Sequence, residues 1–331
     1  MKKLVWALCA LVAASSSAFA AMQAGSLAKM REGRGLSFAG QLSVGMLDGE
    51  AKEHVFDNDV YPGSRYQVSR LDWDLKDVAM GGGSASVRPL NGYGFWDALS
   101  LNAGGWLALT EGNGEMDDYD WLYPELSPDW SDYSLSDVDV TEGYVLDLNA
   151  TWDFVQQPDL TVRGIVGYKQ NGWTWEDRGL YAIYSTYGFR DTYLDFGGEN
   201  GINYEQEFRM PYLGASADWT FGAFTLSGYA TYSPIVEATD WDEHVYTETS
   251  YKETFEDGDM LGLGAEIRYD FARGFLDGAF VSAALDYQQI DLIVGDMEYV
   301  DATTGEVGGG EDLAGIENEY LALSLGVGMR F

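Results

Sequence analysis

The chain ends with YLALSLGVGMRF at residues 320–331, and this stretch decides the fold class. Its side chains alternate strictly between a large apolar set and a small or polar set. The apolar set is Leu321, Leu323, Leu325, Val327, Met329 and Phe331. A period of two residues is typical of a β-strand with one apolar face. Residues 98–110, 143–154 and 261–271 repeat the pattern, so the chain is predicted to be all-β.

Two all-β architectures contain such strands. In a soluble sandwich the apolar face covers a core, whereas in an outer-membrane barrel it faces lipid and the other face lines a polar interior. Strands longer than ~10 residues, tight turns that alternate with acidic loops, and Trp and Tyr near strand ends favour the barrel. We therefore predict a ten-stranded antiparallel transmembrane β-barrel with long extracellular loops. The expected strands are residues 36–56, 64–88, 98–112, 141–155, 160–176, 202–220, 223–238, 251–271, 278–295 and 314–331.

The N-terminus has the pattern of a secretory signal peptide. Two lysines precede an apolar run, and Ala18 and Ala20 occupy the small-residue positions of a cleavage site. We expect residues 1–20 to be removed and residues 21–331 to form a single outer-membrane barrel domain. The only cysteine, Cys9, leaves with the signal, which excludes disulfides and Cys-ligated metals from the mature chain.

The chain is strongly acidic, with a formal net charge of −35, which repels nucleic acid and attracts cations. Its hydrophobic content of 46% nevertheless gives it enough apolar surface to fold. Charged residues also occur on the parity expected to face the lumen, and we interpret them as ion pairs that fill a narrow barrel. These residues are Arg70, Asp72, Asp74, Asp147, Asp153, Arg163, Glu266, Arg268, Asp270 and Asp286.

The segment GEMDDYDW at 114–121 concentrates carboxylates at the expected mouth of the barrel. When the parity of the preceding strand is continued upward, Asp118 and Asp120 point inward. Two carboxylates on one face cannot both ionise freely, so one pKa should rise and the pair can hold a water molecule. The alternative interpretation is a solvated acidic loop.

The segment TDWDEH at 239–244 contains one of the two histidines. Asp242 and His244 share a strand face, so the carboxylate can orient the imidazole as a general base. A lone histidine in a loop is more often inert. Simple counting places both side chains on the lipid side, so a one-residue offset is required between residues 232 and 240. Pro234 cannot donate a ladder hydrogen bond, which favours a bulge near it.

Other chemistries find little support. The sequence has no GxSxG elbow, phosphate-binding glycine loop, HExxH motif or EF-hand spacing. We expect no metal or cofactor, although loose calcium binding by the acidic loops stays open.

The sequence resembles the omptins, outer-membrane endopeptidases of Gram-negative bacteria that are built as ten-stranded barrels. The likeness covers nearly the whole mature chain, and several motifs occur in matching order. They are SRLDWDL (69–75), GEMDDYDW (114–121), YGFRD (187–191), FRMPYLG (208–214), TDWDEH (239–244) and AGIENEY (314–320).

The resemblance implies a catalytic set of two aspartates and an Asp–His pair that face each other across the mouth. Matched motif by motif, the set falls on Asp118, Asp120, Asp242 and His244. The implied mechanism agrees with the reading of the residues: a water held between the acid pair and the histidine attacks the scissile carbonyl. No covalent acyl-enzyme and no metal are needed.

The resemblance also implies cleavage between or next to basic residues. The matching pocket acids are Glu53 and Asp240, with Met116 and Ile202 as an apolar wall and Asp132 near the leaving-side pocket. Buried carboxylates would favour a guanidinium group through charge-assisted hydrogen bonds.

The chain departs from the family at the outer wall. Omptins generally need lipopolysaccharide, which they bind through basic residues there. The matching positions are Gln170, Gly172, Glu207 and Arg209, and only Arg209 is basic. Another basic residue could substitute, divalent cations could bridge, or the protein could do without lipid activation.

We therefore predict an outer-membrane endopeptidase of a Gram-negative bacterium, with its active site facing the exterior and with basic peptides or proteins as substrates. Outer-membrane lipid is the other expected partner, and no pattern indicates an oligomeric state. The alternative function is a non-enzymatic adhesin or narrow pore with acidic, cation-binding loops.

Overall fold

The computed structural model describes residues 35–61, 64–91, 94–272 and 274–331. The expected signal peptide lies outside these residues. Within them, no helix is long and apolar enough to cross a bilayer. The described chain contains twelve strand segments and two short 3-10 helices, Gly94–Ala98 and Gly274–Leu276. The strands are β1 (Gly35–Tyr61), β2 (Ser64–Asn91), β3 (Leu99–Ala108), β4 (Gly112–Asp120), β5 (Asp132–Gln156), β6 (Leu160–Tyr184), β7 (Thr192–Asp195), β8 (Ile202–Phe221), β9 (Phe224–His244), β10 (Thr249–Asp270), β11 (Ala279–Asp301) and β12 (Val307–Arg330).

The strands close into an antiparallel barrel. β1 pairs with both β2 and β12, so the first and last strands of the described chain close the ring without a free edge. β3 and β4 both lie between β2 and β5, and β7 and β8 both run beside β6. The twelve segments therefore occupy ten positions around the ring. The predicted fold class is confirmed.

The lower half of the barrel has an apolar outer surface and a charged interior. Its outward side chains include Leu42, Leu107, Leu148, Val166, Leu213, Leu263 and Leu285. Inside, Arg163 contacts Asp153 at 2.7 Å and Asp218 at 2.8 Å, and Arg268 lies 3.5 Å from Glu266. The prediction of ion pairs in a narrow lumen is confirmed for this half.

A belt of β-bulges separates the lower half from the mouth. Five strands each carry one extra residue at about the same height, and the bulge leaves two consecutive side chains on the outer surface or half-exposed. These bulges, here called the bulge belt, lie at residues 76–77, 141–142, 234–235, 256–257 and 291–292. Since the side-chain period of a strand is two, each bulge exchanges the inward and outward parities above it.

The bulge in β2 corrects one prediction. Leu71, Trp73 and Leu75 are buried in the core above the belt, so their neighbours Arg70 and Asp72 point away from it. Asp74 lies on the same outer side. The prediction that these three charged residues line the lumen was wrong, because the count of alternating residues passed through a bulge at Asp77, whose φ is +53°. The other residues predicted there, Asp147, Asp270 and Asp286 among them, do face the lumen.

The offset predicted in β9 is present. Between Tyr232 and Glu237 this strand has one residue more than the facing segment of β8. Ser233 stabilises the bulge, because its hydroxyl donates to the carbonyl of Ile235 at 2.8 Å and accepts from the amide of Ile235 at 3.2 Å. Asp240 and Asp242 are consequently buried inside the mouth.

The strands extend further above the belt than the sequence predicted. β9 was expected to end at residue 238 and β11 at residue 295, but they end at His244 and Asp301. Outside the lipid region the outer face is polar, so the alternation that predicted the lower strands is lost. Much of the expected loop sequence is therefore strand, and the longest connections at the mouth are residues 121–131 and 185–201.

We expect Ser233→Ala to destabilise the barrel by roughly 1–2 kcal/mol, because the Ile235 backbone loses its buried partner. The matched control is Ser227→Ala, since Ser227 is equally buried on the same strand face but its hydroxyl has no hydrogen-bond partner among the described residues. Thermal unfolding in detergent measures both. Equal stability of the two variants would contradict the role given to Ser233.

Candidate active site

The acid pair lies at the upper end of β4, where the predicted parity holds. Met116 is fully buried, and Asp118 and Asp120 follow it on the inward face. β2 and β5 flank the pair on either side. Asp118 accepts hydrogen bonds from Ser69 Oγ at 3.2 Å and Ser134 Oγ at 3.4 Å, so its carboxylate is held between the two neighbouring strands.

Both carboxyls of the pair have raised pKa values. Burial and the charge of Asp120 raise the pKa of Asp118 to about 8, against the smaller opposing effect of His244. Burial raises the pKa of Asp120 to about 6, with hydrogen bonding to Ser69 opposing and the charge of Asp132 adding. One carboxyl is therefore protonated near neutral pH while the other is ionised, an arrangement that can both donate to and accept from a bound water.

The Asp–His pair lies at the upper end of β9. His244 Nε2 is 2.7 Å from Asp242 Oδ2, and the carboxylate is buried while the imidazole is about one-third exposed. Burial lowers the pKa of His244, but the hydrogen bond and charge of Asp242, and then the charges of Asp118 and Asp177, raise it above its ordinary value. When Nε2–H donates to the carboxylate, Nδ1 is the nitrogen left free to accept a proton.

The two pairs face each other across the mouth. β4 and β9 are four positions apart in a ring of ten. The charge of Asp118 nevertheless raises the pKa of His244, and His244 lowers that of Asp118, so their charged groups are near neighbours in space. The structure thus brings together the four residues that the sequence singled out.

A cluster of buried carboxyls lies beside these pairs. Glu53 on β1 and Asp240 on β9 are both almost completely buried, as expected for pocket acids. Tyr204 donates to Asp240 Oδ2 at 3.0 Å, and Gln206 Nε2 donates to the same tyrosine hydroxyl at 2.8 Å. Burial raises the pKa of Asp240 to about 8. Burial and the charges of Asp242 and Asp240 raise the pKa of Glu53 well above its usual range.

A third acid, Glu253, belongs to this cluster and was missed by the sequence analysis. It is 1% exposed and is the cross-strand neighbour of Asp240. Burial and the charges of Asp240 and Glu53 raise its pKa well above the usual range. Counting back from the lipid face of β10 would place it outside, because the bulge at 256–257, with φ +61° at Asp257, reverses the parity.

The other expected substrate residues also line the mouth. Met116 is buried, and Ile202 packs against the same core cluster. Asp177, which the sequence analysis did not single out, accepts hydrogen bonds from the amides of Gly201 and Ile202 and contributes to the raised pKa of His244.

Asp132 joins two of the mouth connections. It accepts from Ser131 Oγ at 2.6 Å and from the Ser185 amide at 2.7 Å. The Ser131 amide in turn donates to the carbonyl of Asp120 at 2.6 Å. Arg190 lies over the Trp130 ring at 3.5 Å and donates from Nε to the Trp130 carbonyl at 2.9 Å. These contacts tie the upper end of β4 to both connections.

No group of three or more His, Cys, Asp or Glu side chains in the described ranges is arranged to hold a metal ion. Carboxyls and one imidazole are nevertheless among the polar groups that converge on the mouth. Such a set can hold a water molecule, remove a proton from it and bind a cationic group.

The family model of the Omptin family matches residues 35–331. The chain belongs to the omptin family. It is 30% identical to the plasminogen activator of Yersinia pestis over 297 residues, which are 89% of this chain and 90% of that protein. It is 33% identical to protease 7 of Escherichia coli (strain K12) over 209 residues, which are 61% of this chain and 62% of that protein.

A solved structure gives the same result. The crystal structure of outer membrane protease OmpT from Escherichia coli matches with a TM-score of 0.82 at 25% identity, covering 89% of this chain and 97% of that one. This omptin is accordingly a peptide-bond hydrolase of the outer membrane of a Gram-negative bacterium. The prediction of a protease is confirmed over the alternative of an adhesin or pore.

The outer-wall positions considered for lipopolysaccharide lie together in this omptin. Gln170 pairs with Arg209, and Gly172 with Glu207, across β6 and β8. Arg209 forms an ion pair with Glu207, which also accepts from Tyr144 at 2.9 Å. The one basic residue among these four positions is thus already compensated by a carboxylate.

We expect Glu53→Gln to raise the unfolding temperature at pH 8 by about 2–4 °C, the shift that ~1 kcal/mol gives in a large domain. A carboxyl with a raised folded-state pKa stabilises the fold at low pH, and that stability is lost as pH rises through the folded pKa. At about pH 4, below the ordinary glutamate pKa of 4.5, the variant should therefore match the wild type. Glu256→Gln, which changes an exposed acid in the bulge of β10, is the control. A shift of equal size at both pH values would contradict the explanation.

Proposed function

We propose that this omptin is an endopeptidase that cleaves cationic peptides and proteins between or next to basic residues, using water activated by an Asp/His set. The single observation that carries the proposal is the position of the acid pair, Asp118 and Asp120, opposite the Asp242–His244 pair, at the mouth of a closed barrel.

The proposed reaction uses a water molecule held between the two pairs. The ionised carboxylate of the acid pair accepts one hydrogen bond from this water, and His244 Nδ1 accepts the other. As the water oxygen attacks the scissile carbonyl carbon, its proton moves to His244, and Asp242 stabilises the resulting imidazolium. The imidazolium then gives the proton to the leaving amine as the C–N bond breaks. In this scheme the enzyme is of the aspartic type, with no acyl-enzyme.

The proposed substrate preference follows from the charge of the mouth. Glu53 and Asp240 are buried, and neither forms an ion pair within the described part of the chain. A basic side chain of the substrate would supply the missing cation. The excess of acidic residues in the chain should also steer cationic peptides toward the mouth.

The first test is cleavage of a quenched fluorescent peptide with a central Arg–Arg bond by refolded protein. We expect His244→Ala and Asp118→Ala each to lower kcat/KM by ~10³-fold or more, since each removes a group that holds or deprotonates the water. Cleavage should depend little on added lipopolysaccharide, because Arg209 is engaged by Glu207.

The controls separate catalysis from folding. Retention of the folded form on unheated gels shows that a variant still forms the barrel, and a peptide with Ala–Ala in place of Arg–Arg tests the basic preference. Wild-type protein that is folded but leaves the Arg–Arg peptide intact would overturn the proposal, as would full activity of His244→Ala.

The pH profile tests the role of His244 separately. The base must be neutral, so kcat/KM should rise with pH through an apparent pKa above 6.5, in the direction of the raised His244 pKa. Asp242→Asn removes the charge that favours the imidazolium. We therefore expect its rising limb to move to lower pH while the maximal rate falls ~10²-fold or more. An unchanged midpoint would argue against this Asp–His pair.

A further inference from the structure

The two longest connections at the mouth, residues 121–131 and 185–201, expose large apolar side chains. Five of them, here called the connection patch, are Leu122, Tyr123, Leu126, Tyr187 and Phe189. Tyr187, at 95%, and Leu126, at 72%, are the most exposed of the five. Single exposed apolar residues are ordinary on a protein surface, whereas a group of them on neighbouring segments is typical of an interaction surface.

Polar contacts join the two connections that carry the patch. The hydroxyl of Tyr123 donates to the carbonyl of Ser185 at 3.4 Å, and Ser185 Oγ donates to the carbonyl of Ser131 at 2.8 Å. The guanidinium of Arg190, which covers a tryptophan ring of the first connection at 3.5 Å, also lies 4.8 Å from the Phe189 ring. The apolar side chains of both connections therefore belong to one surface.

The connection patch lies far from the lipid-facing surface. On β5, Asp132 precedes the bulge at residues 141–142 by nine residues. A rise of ~3.3 Å per residue and a strand tilt of ~40° place the connections about 20–25 Å above the bulge belt. The outer wall between the two levels is charged, with Asp74, Glu115, Asp137, Asp139 and Arg178. The partner of the patch is therefore a molecule that approaches from the exterior.

The connections adjoin the proposed active site. The Ser131 amide donates to the carbonyl of Asp120 at 2.6 Å, and the Ser185 amide donates to Asp132 Oδ1 at 2.7 Å. Asp132 is the acid expected near the leaving-side pocket, so a substrate chain that continues past it meets these connections next. Their exposed acids are Glu125, Asp129, Asp191 and Asp195. The surface thus fits a polypeptide that carries both basic and large apolar side chains.

We propose that the connection patch is a second substrate-binding surface, which binds large apolar side chains three to six residues beyond the scissile bond on the leaving side. The inference rests on the proposed function, because it extends the same site. An extended chain advances ~3.3 Å per residue, so these side chains lie ~10–20 Å from the scissile bond. Tyr123, three residues past Asp120, is within that reach.

The patch acts on binding and not on the chemical step. An apolar side chain that packs against it loses contact with water, which favours association. The contact lies away from the reacting groups, so it is equally strong in the bound substrate and in the transition state. Binding energy of this kind lowers KM and leaves kcat nearly unchanged.

The test compares two quenched peptides with the same central Arg–Arg bond. One has Leu and Phe, and the other has Ala, at positions three to six after the bond. We expect wild-type kcat/KM to favour the Leu/Phe peptide by ~10-fold or more, through KM. The double variant Leu126→Ser/Tyr187→Ser, which changes the two most exposed members of the patch, should reduce this preference to within ~3-fold.

Two controls accompany the test. The double variant Val300→Ser/Val307→Ser removes an exposed apolar pair, which faces across β11 and β12 on the opposite side of the ring, and it should keep the wild-type preference. A third peptide, with Leu and Phe at the same distances before the bond, should be cut no better than the Ala peptide.

The outcomes separate this inference from the proposed function. Equal cleavage of the Leu/Phe and Ala peptides by the wild type, or a wild-type preference in folded Leu126→Ser/Tyr187→Ser, overturns the role of the patch and leaves the basic specificity intact. A preference for apolar residues only before the bond also overturns it. Failure of the wild type to cut any of the peptides overturns both proposals. Should the double variant not form the barrel on unheated gels, Tyr187→Ser alone gives the same comparison.

Discussion

The set of side chains that lines the mouth of this barrel depends on which face of each strand points inward. The bulge belt determines that face. In a closed antiparallel ring the backbone groups of every strand edge are hydrogen-bonded. Once the register is set, the ring also determines whether each side chain points inward or outward. One extra residue in β9, stabilised by the contacts of Ser233 with Ile235, turns Asp242 and His244 into the lumen. One extra residue in β10 does the same for Glu253. Local backbone hydrogen bonding thus determines the chemistry of a site that lies several residues further along each strand.

The sequence predicted the lower half of the barrel because lipid imposes strict alternation there, as at 320–331. It predicted the inward orientation of Asp118 and Asp120 because the alternation of inward and outward side chains continues unchanged from β3 to β4 across residues 109–111. It failed where a bulge interrupts the count without a sequence signal, so Glu253 was missed and Arg70 was placed inside. In β9 the offset could be predicted, because Pro234 favours a bulge and simple counting placed His244 on the lipid side. Above the belt both faces are polar, and composition no longer separates them.

The pKa shifts of the acid pair, Asp118 and Asp120, and of the Asp242–His244 pair are complementary in direction. Burial and mutual repulsion raise the pKa values of Asp118 and Asp120, while the hydrogen bond and charges of nearby carboxylates raise that of His244. Near neutral pH these shifts leave one proton on the Asp118–Asp120 pair. The nearby carboxylates also raise the affinity of the His244 imidazole for a proton. Together the two pairs offer carboxyl oxygens, a carboxyl proton and an imidazole nitrogen at the mouth, whereas either pair alone offers a less complete set of hydrogen-bonding groups.

Buried carboxylates occur in both halves of the lumen, but their partners differ. Below the belt, Arg163 and Arg268 are buried with acidic partners, so the carboxylates of the lower lumen are compensated within the chain. Above it, Glu53, Asp240 and Glu253 are buried to the same degree with no arginine of the described chain among them. A carboxylate buried without a cation costs stability, and that cost is relieved when a cation arrives. Protonation of these carboxyls, in the direction of their raised pKa values, therefore takes in the mouth the place that the chain's own arginines take in the lower lumen.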